Sequence, residues 1–190
     1  QTYKGAEYDN FTLLNYNGSL MSVSTAGNSS TITWDNSTVG AERFKATDAA
    51  TYTVKFHMDS ENHIWSTDGG ESTTDQSKTI TISKKEITIN TTPQTTNPSW
   101  DLGATGSITV NSTASPILNP DFVLNIYYVK GKDTANPLNE GIDTATNTLD
   151  VSQITSSGDY TLCVELKSGV PANENYSIAN DKFEMPFTIG

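Results

Sequence analysis

Apolar and polar positions alternate with a period of two along most of this chain, and the alternating segments are short. In the first half they run from Phe11 to Tyr16, Leu20 to Ser24, Ser30 to Trp34, Arg43 to Thr47, Tyr52 to Met58 and Thr79 to Ile82. In the second half they run from Glu86 to Asn90, Ser107 to Asn111, Phe122 to Val129, Thr148 to Val151, Tyr160 to Leu166 and Phe183 to Ile189. Such alternation buries one residue set and turns the other to solvent, which is the pattern of half-buried β-strands. No segment sustains the 3.6-residue apolar period of an amphipathic helix. Turn residues separate the strands. Asn17-Gly18 is a hairpin signal, because both residues tolerate positive φ, and Asp68-Gly69-Gly70 gives another ahead of the Thr79–Ile82 strand. Short strands at this spacing predict an all-β chain of sandwich type.

Two of the strands repeat one another. Asp48-Ala49-Ala50-Thr51-Tyr52-Thr53-Val54 and Ser156-Ser157-Gly158-Asp159-Tyr160-Thr161-Leu162 each set a small-residue turn before a strand whose first apolar member is tyrosine. The spacing, 160 − 52 = 108 residues, is about the length of one sandwich domain of roughly 100 residues. The expected organisation is two modules in tandem, residues 1–85 and 86–190, joined at Ile82-Ser83-Lys84-Lys85-Glu86-Ile87. A junction this short is expected to limit bending and give a semi-rigid rod. Thr91-Thr92-Pro93-Gln94-Thr95-Thr96-Asn97-Pro98 has the composition of a linker. It is read as a loop inside the second module, because Glu86–Asn90 needs a partner sheet.

Phe44-Lys45-Ala46-Thr47-Asp48-Ala49-Ala50-Thr51-Tyr52-Thr53-Val54 resembles the tyrosine-bearing strand of bacterial immunoglobulin-like repeats. Asn62-His63-Ile64-Trp65, Asp68-Gly69-Gly70 and Thr79-Ile80-Thr81-Ile82-Ser83-Lys84-Lys85 fill the places of that family's Asn-x-x-Trp segment, glycine turn and closing strand, and Tyr3-Lys4-Gly5 is similar to its opening. The second copy keeps Gly158-Asp159-Tyr160-Thr161-Leu162, with Asn175-Tyr176-Ser177-Ile178 where the Asn-x-x-Trp segment would stand. The resemblance covers nearly the whole chain. It implies two tandem immunoglobulin-like β-sandwich domains from a Gram-positive surface protein, acting as a stalk, spacer or adhesin segment, or carrying other modules. Ala50 stands where that family commonly has glycine, and an acidic insertion, Glu71 to Gln76, precedes the closing strand.

Composition narrows the partners. The formal net charge is −11, from 22 acidic and 11 basic residues. Such a surface repels phosphate, so nucleic acid and anionic membranes are poor partners, and acidity of this degree keeps an extracellular protein soluble. No run is apolar and long enough to span a bilayer, so membrane insertion is not expected. Cys163 is the single cysteine and rules out an intrachain disulfide, which favours a bacterial source among secreted sandwiches. The chain begins at Gln1 without a signal peptide and is read as a processed piece of something longer, monomeric within it.

Candidate chemistry is sparse. Tyr52 and Tyr160 stand where immunoglobulin-like sandwiches form a tyrosine corner, a structural role. Aromatic rings can also stack on the apolar face of a sugar. Trp34 and Trp65 are read as core residues. Trp100, in a loop after Pro98, is the best exposed candidate. Phe122, Leu124, Ile126 and Tyr128 share a core face, which leaves Tyr127 outside beside Asn125. Trp100, Tyr127 and Asn125 therefore form the glycan-binding hypothesis, and an isolated surface tyrosine is the plainer reading. His57 and His63 lack further zinc ligands at close spacing. Cys163 has no histidine nearby in sequence to activate it.

Asp59, Glu61, Asn62, Asp68, Glu71 and Asp75 crowd oxygen ligands that calcium accepts, yet their spacing matches no calcium loop, and solvated charge explains them. Carboxylates abound, but nothing sets two across a cleft as a glycosidase requires. The sequons at Asn10, Asn28, Asn36 and Asn111 follow from composition. The expectation is a non-enzymatic extracellular segment, secreted or attached to a cell wall, with no catalytic residues and no cofactor. Its alternatives are binding to an extracellular glycan or to a host surface protein, the latter by strand addition at a sheet edge.

Overall fold

The computed structural model describes residues 1–6, 8–12, 21–27, 32–35, 43–58, 61, 64–67, 69–133 and 135–190. Contacts divide them into two units, Gln1–Lys85 and Glu86–Gly190. Regular structure among them is β-strand with short 3-10 turns, so the chain is all-β.

The first unit holds β1 (Tyr8–Thr12), β2 (Met21–Gly27), β3 (Ile32–Asp35), β4 (Arg43–Ala46), β5 (Ala50–Met58), β6 (Trp65–Thr67), β7 (Gly70–Ser72) and β8 (Gln76–Ile82). One sheet runs β1-β4-β3, another β2-β5-β8, and β6 pairs with β7 as a hairpin. On β5, Tyr52 and Val54 are fully buried while Thr51, Lys55 and His57 are exposed, so the period of two is realised directly. Ile80 and Ile82 of β8, Tyr3 and Ala46 are buried as well.

The hairpin expected around Asn17-Gly18 is not how the flanking strands pair. β1 pairs with β4, with Phe11 opposite Phe44, and β2 pairs with β5, with Val23 opposite Phe56. A two-residue turn signal is local, whereas sandwich strands pass from one sheet to the other. Asn17-Gly18 itself lies outside the described residues.

The second unit holds β9 (Lys85–Thr92, its first residue counted with the first unit), β10 (Ser99–Trp100), β11 (Ser107–Thr113), β12 (Leu124–Lys130), β13 (Ile142–Asp143), β14 (Thr148–Asp150), β15 (Gly158–Leu166), β16 (Tyr176–Ile178) and β17 (Phe183–Ile189). Its sheets run β10-β17-β15-β12 and β13-β14-β11-β9-β16. Residues 93–98 therefore carry the chain from one sheet to the other. Between the sheets lies one core: Ile108, Val110 and Leu149 from one side meet Ile126, Tyr128, Tyr160, Leu162, Val164, Met185, Phe187 and Ile189 from the other. Burying each such side chain stabilises the fold by about 1.5–3 kcal/mol, so this interface is its main support.

The two units share one strand order. β2-β5-β8 corresponds to β12-β15-β17, and β1-β4-β3 corresponds to β11-β14-β13. Each unit also has a parallel pairing near its C-terminal end, Thr2 with Ser83 just after β8 in one and Ser99 of β10 with Thr188 of β17 in the other. This is the immunoglobulin-like arrangement of two antiparallel sheets, met twice in tandem. Val54 and Leu162, both fully buried, stand two residues after the tyrosines, where antibody domains place a disulfide cysteine.

One polar residue fixes the start of β12. Asn173 is buried, its Nδ2 donates to the carbonyls of Val123 and Lys167 at 2.8 Å each, and its Oδ1 accepts from the Val123 amide at 2.8 Å. The Tyr176 ring packs edge-on against Phe122 at 5.1 Å, and its hydroxyl donates to Asp121 at 2.9 Å. Phe122 thus lies ahead of β12, packed on the β15–β17 connection rather than continuing the strand.

Candidate functional site

β12 and β15 run antiparallel with Asn125 opposite Glu165 and Tyr127 opposite Cys163. Ile126 and Tyr128 point into the core, so Asn125 and Tyr127 occupy the outer face of the four-stranded sheet. Asn125 Nδ2 donates to Glu165 Oε1 at 3.0 Å. Tyr127 is half-buried beside Cys163, its cross-strand partner on β15. At the far side of β12, the Leu138 amide and carbonyl each bond to Tyr128, at 2.8 and 3.0 Å. That bridge sets Pro137 and Asn139 beside Tyr127. The result is a depression of about 290 Å³ lined by Asn125, Tyr127, Pro137, Asn139 and Glu165.

Electrostatics on this face are mixed. Burial, then the nearby Cys163 and Glu165, raises the Tyr127 phenol above its ordinary value, so the hydroxyl stays neutral. Burial likewise pushes the Cys163 thiol up, and the residue is fully enclosed. Lys182 is held charged by its hydrogen bond to Glu184 at 2.6 Å. A thiol that is enclosed and kept protonated is a poor nucleophile.

Trp100 is not part of this site. The loop expected there is the short strand β10, parallel to β17, with Trp100 opposite Ile189. The side chain is half-buried, packs against the core edge-on to Phe187 at 6.5 Å, and covers Gly106 so closely that a Cβ there would fall 2.3 Å from its Nε1. β10 and β12 are opposite edges of the sheet, and Trp100 serves the core face while Tyr127 lies on the outer one. Of the three residues of the glycan hypothesis, Asn125 and Tyr127 come together and Trp100 stands apart. Pro137, Asn139 and Glu165 are site residues that sequence reasoning missed. Strand pairing brings Glu165 in from 40 positions away, and no local pattern marks it.

The two repeat tyrosines are structural in their geometry. The Tyr52 hydroxyl donates to the Asp48 carbonyl at 2.7 Å, and the Tyr160 hydroxyl donates to the Ser156 carbonyl at 2.7 Å. Both reach back four residues. The Tyr160 ring stacks on Phe187 at 5.4 Å and meets Tyr128 edge-on at 5.9 Å.

His57 Nδ1 lies 2.7 Å from Asp75 on an exposed surface. Asp59, Asn62, His63 and Asp68 fall outside the described residues, as do the Trp34 side chain and the sequons Asn28 and Asn36. Among the described residues no group of three or more His, Cys, Asp or Glu could hold a metal ion. A larger gap of about 560 Å³ opens between β9 and β17, floored by Ile87, Ile89 and Phe183 and rimmed by Glu86, Lys182 and Glu184. It brings no nucleophile and base together. No helix among the described residues is long and apolar enough to cross a membrane.

No family model matches the chain, and no curated protein matches it. Among solved structures, it is similar to three N-terminal domains of the highly immunogenic outer capsid protein of bacteriophage RB49, at 14% identity over 99% of this chain and 55% of that one, with a TM-score of 0.38. It is also similar to the fibronectin(III)-like modules of Clostridium thermocellum CbhA, at 10% identity over 99% of this chain and 87% of that one, with a TM-score of 0.34. A third likeness is to the N-terminal eight immunoglobulin domains of Down syndrome cell adhesion molecule, at 10% identity and a TM-score of 0.36. It covers 90% of this chain and a fifth of that one. Likenesses this faint carry no weight beyond the strand order described above.

Proposed function

We propose that this chain is a non-enzymatic structural or adhesion segment, a tandem stalk or spacer from a secreted or cell-wall-attached bacterial surface protein, with modules bounded at 1–85 and 86–190. The observation that carries this reading is the duplicated strand order, with a buried tyrosine tied to the carbonyl four residues before it in each copy. What is repeated is a set of packing and closing devices: core tyrosines, Val54 and Leu162 filling the disulfide positions, and a parallel pairing near the C-terminal end of each unit. Repetition of packing, with no repeated polar site among the described residues, suits a part whose work is to persist and to separate what lies on either side of it. Acidic surface charge and independence from a disulfide suit an extracellular bacterial setting.

The reading is tested by placing the chain between a cell-surface anchor and a reporter domain, then capturing cells through the reporter under flow. Capture that persists as flow rises supports it. A segment that yields at low flow, or cells held through the segment itself with the reporter removed, counts against the spacer role.

A further inference from the structure

Beyond the stalk reading, the outer-face depression of the second unit has the makings of a ligand site. Tyr127 stands on the outer face of the sheet opposite Cys163 and is only half-buried, so part of its ring is open to solvent. Asn125 and Glu165 are already hydrogen-bonded to each other at 3.0 Å, which presents a donor and an acceptor side by side in fixed positions. Pro137 and Asn139 close the opposite wall, with a second amide facing the first pair. Ligand pockets run from roughly 300 Å³ upward, so a space of about 290 Å³ admits one small ring rather than a long chain segment.

A flat apolar floor with amide and carboxylate groups around its rim is chemistry that suits a pyranose. The C–H face of the sugar packs on the aromatic ring, and vicinal hydroxyls need paired donors and acceptors at the side. Charge narrows the class. Glu165 is in the site, Glu184 is nearby, and the whole chain carries −11, so a carboxylated or sulfated sugar is repelled. Lys182 offers no relief, because it is paired with Glu184.

We propose that Tyr127, Asn125, Glu165, Asn139 and Pro137 form a subsite for a single neutral pyranose unit of an extracellular glycan. Tyr127 is the platform, Asn125 and Glu165 bond adjacent hydroxyls, and Asn139 positions the ring from the opposite wall. With one ring engaged, the dissociation constant falls near about 1 mM for a free sugar, and repeats along a polysaccharide raise the apparent affinity.

The test is native-gel affinity electrophoresis of the full chain through soluble neutral polysaccharides (hydroxyethyl cellulose, xyloglucan, galactomannan and arabinogalactan), with polygalacturonate as the acidic probe. Retardation in at least one neutral gel and none in polygalacturonate is the expected result. Tyr127→Ala weakens retardation about tenfold, the loss expected for removing one aromatic contact. Tyr127→Phe, in which the ring remains, is retarded more than Tyr127→Ala, and the thermal midpoints of both variants control for folding. Glu165→Gln exchanges a charged acceptor for a neutral one, so it weakens retardation in the neutral gel and begins to admit polygalacturonate. The proposal is overturned if no neutral polysaccharide retards the intact chain, if Tyr127→Ala migrates like the unaltered protein in the gel that does, or if the acidic probe binds equally well.

Discussion

Tyr160→Phe removes one oxygen atom and nothing else, which makes it a clean probe of how the repeat holds together. The hydroxyl donates to the Ser156 carbonyl at 2.7 Å and lies 2.8 Å from the Ser156 hydroxyl, on a side chain only 2% exposed. The ring contacts to Phe187 at 5.4 Å and Tyr128 at 5.9 Å survive the change. A net hydrogen bond contributes about 0.5–1.5 kcal/mol. Ser156 is itself exposed and can turn its carbonyl to water, so the expected loss is about 1–2 kcal/mol rather than the full desolvation cost. For a unit of 105 residues (190 − 86 + 1), each kcal/mol shifts the midpoint by about 4 °C, giving a fall of roughly 4–8 °C.

Scanning calorimetry of the full chain reads this directly. Tyr160→Phe should lower one of two transitions and leave the other, while Tyr52→Phe, which loses a single 2.7 Å bond to Asp48, should lower the other by about 0.5–1.5 kcal/mol. A loss under about 0.3 kcal/mol, below even a weak hydrogen bond, or movement of both transitions by either variant, would refute the reasoning.

Three further outcomes follow from named contacts. Gly106→Ala pushes a methyl group to within 2.3 Å of Trp100 Nε1, and overpacking of this kind should cost about 1–3 kcal/mol in urea denaturation. Burial raises the Cys163 thiol pKa in the folded state, so its contribution to stability is intact below the unfolded value of about 8.5 and is lost as pH rises through the folded value. Cys163→Ala should flatten the alkaline fall in stability, and Ellman's reagent should modify the native thiol only at the unfolding rate. Thr188 and Gly190 donate their amides outward from β17 to Pro98 and Trp100, and strand alternation puts the nitrogen of Pro186, which carries no hydrogen, on that same edge. Pro186→Thr restores a donor there and should raise self-association in sedimentation velocity, whereas an unchanged sedimentation coefficient would remove the edge-guarding role.

Much of the fold was legible because alternation is a local signal. The strand at Phe183–Ile189 is found with the expected ends, and the tyrosine strands lie where the repeat placed them. β10 and β13, of two residues each, are too short to show any period. Trp100 was misplaced for that reason: Pro98 signals a loop, and the partner that recruits the segment is β17, nearly ninety positions on. Alternation along β15 puts Thr161 and Cys163 on the face away from Leu162 and Val164 but does not show that this face is covered there, and both are buried. The site was half legible. Adjacent tyrosines on a strand must point opposite ways, which put Tyr127 outside, but Glu165, Asn139 and Pro137 reach it only through strand pairing and the Leu138 bridge. Asn173, which pins the start of β12 by three hydrogen bonds, carries no mark in a segment rich in Asn.

The most direct measurement is to hold the chain by its two ends in a single-molecule force experiment. Two separately folded, load-bearing modules should give two unfolding events, releasing chain of at most about 300 Å for residues 1–85 and about 380 Å for residues 86–190 at full extension. Tyr160→Phe should weaken only the larger event. A single event of roughly 680 Å, or smooth lengthening with no event at all, would contradict the reading of this chain as a tandem structural segment.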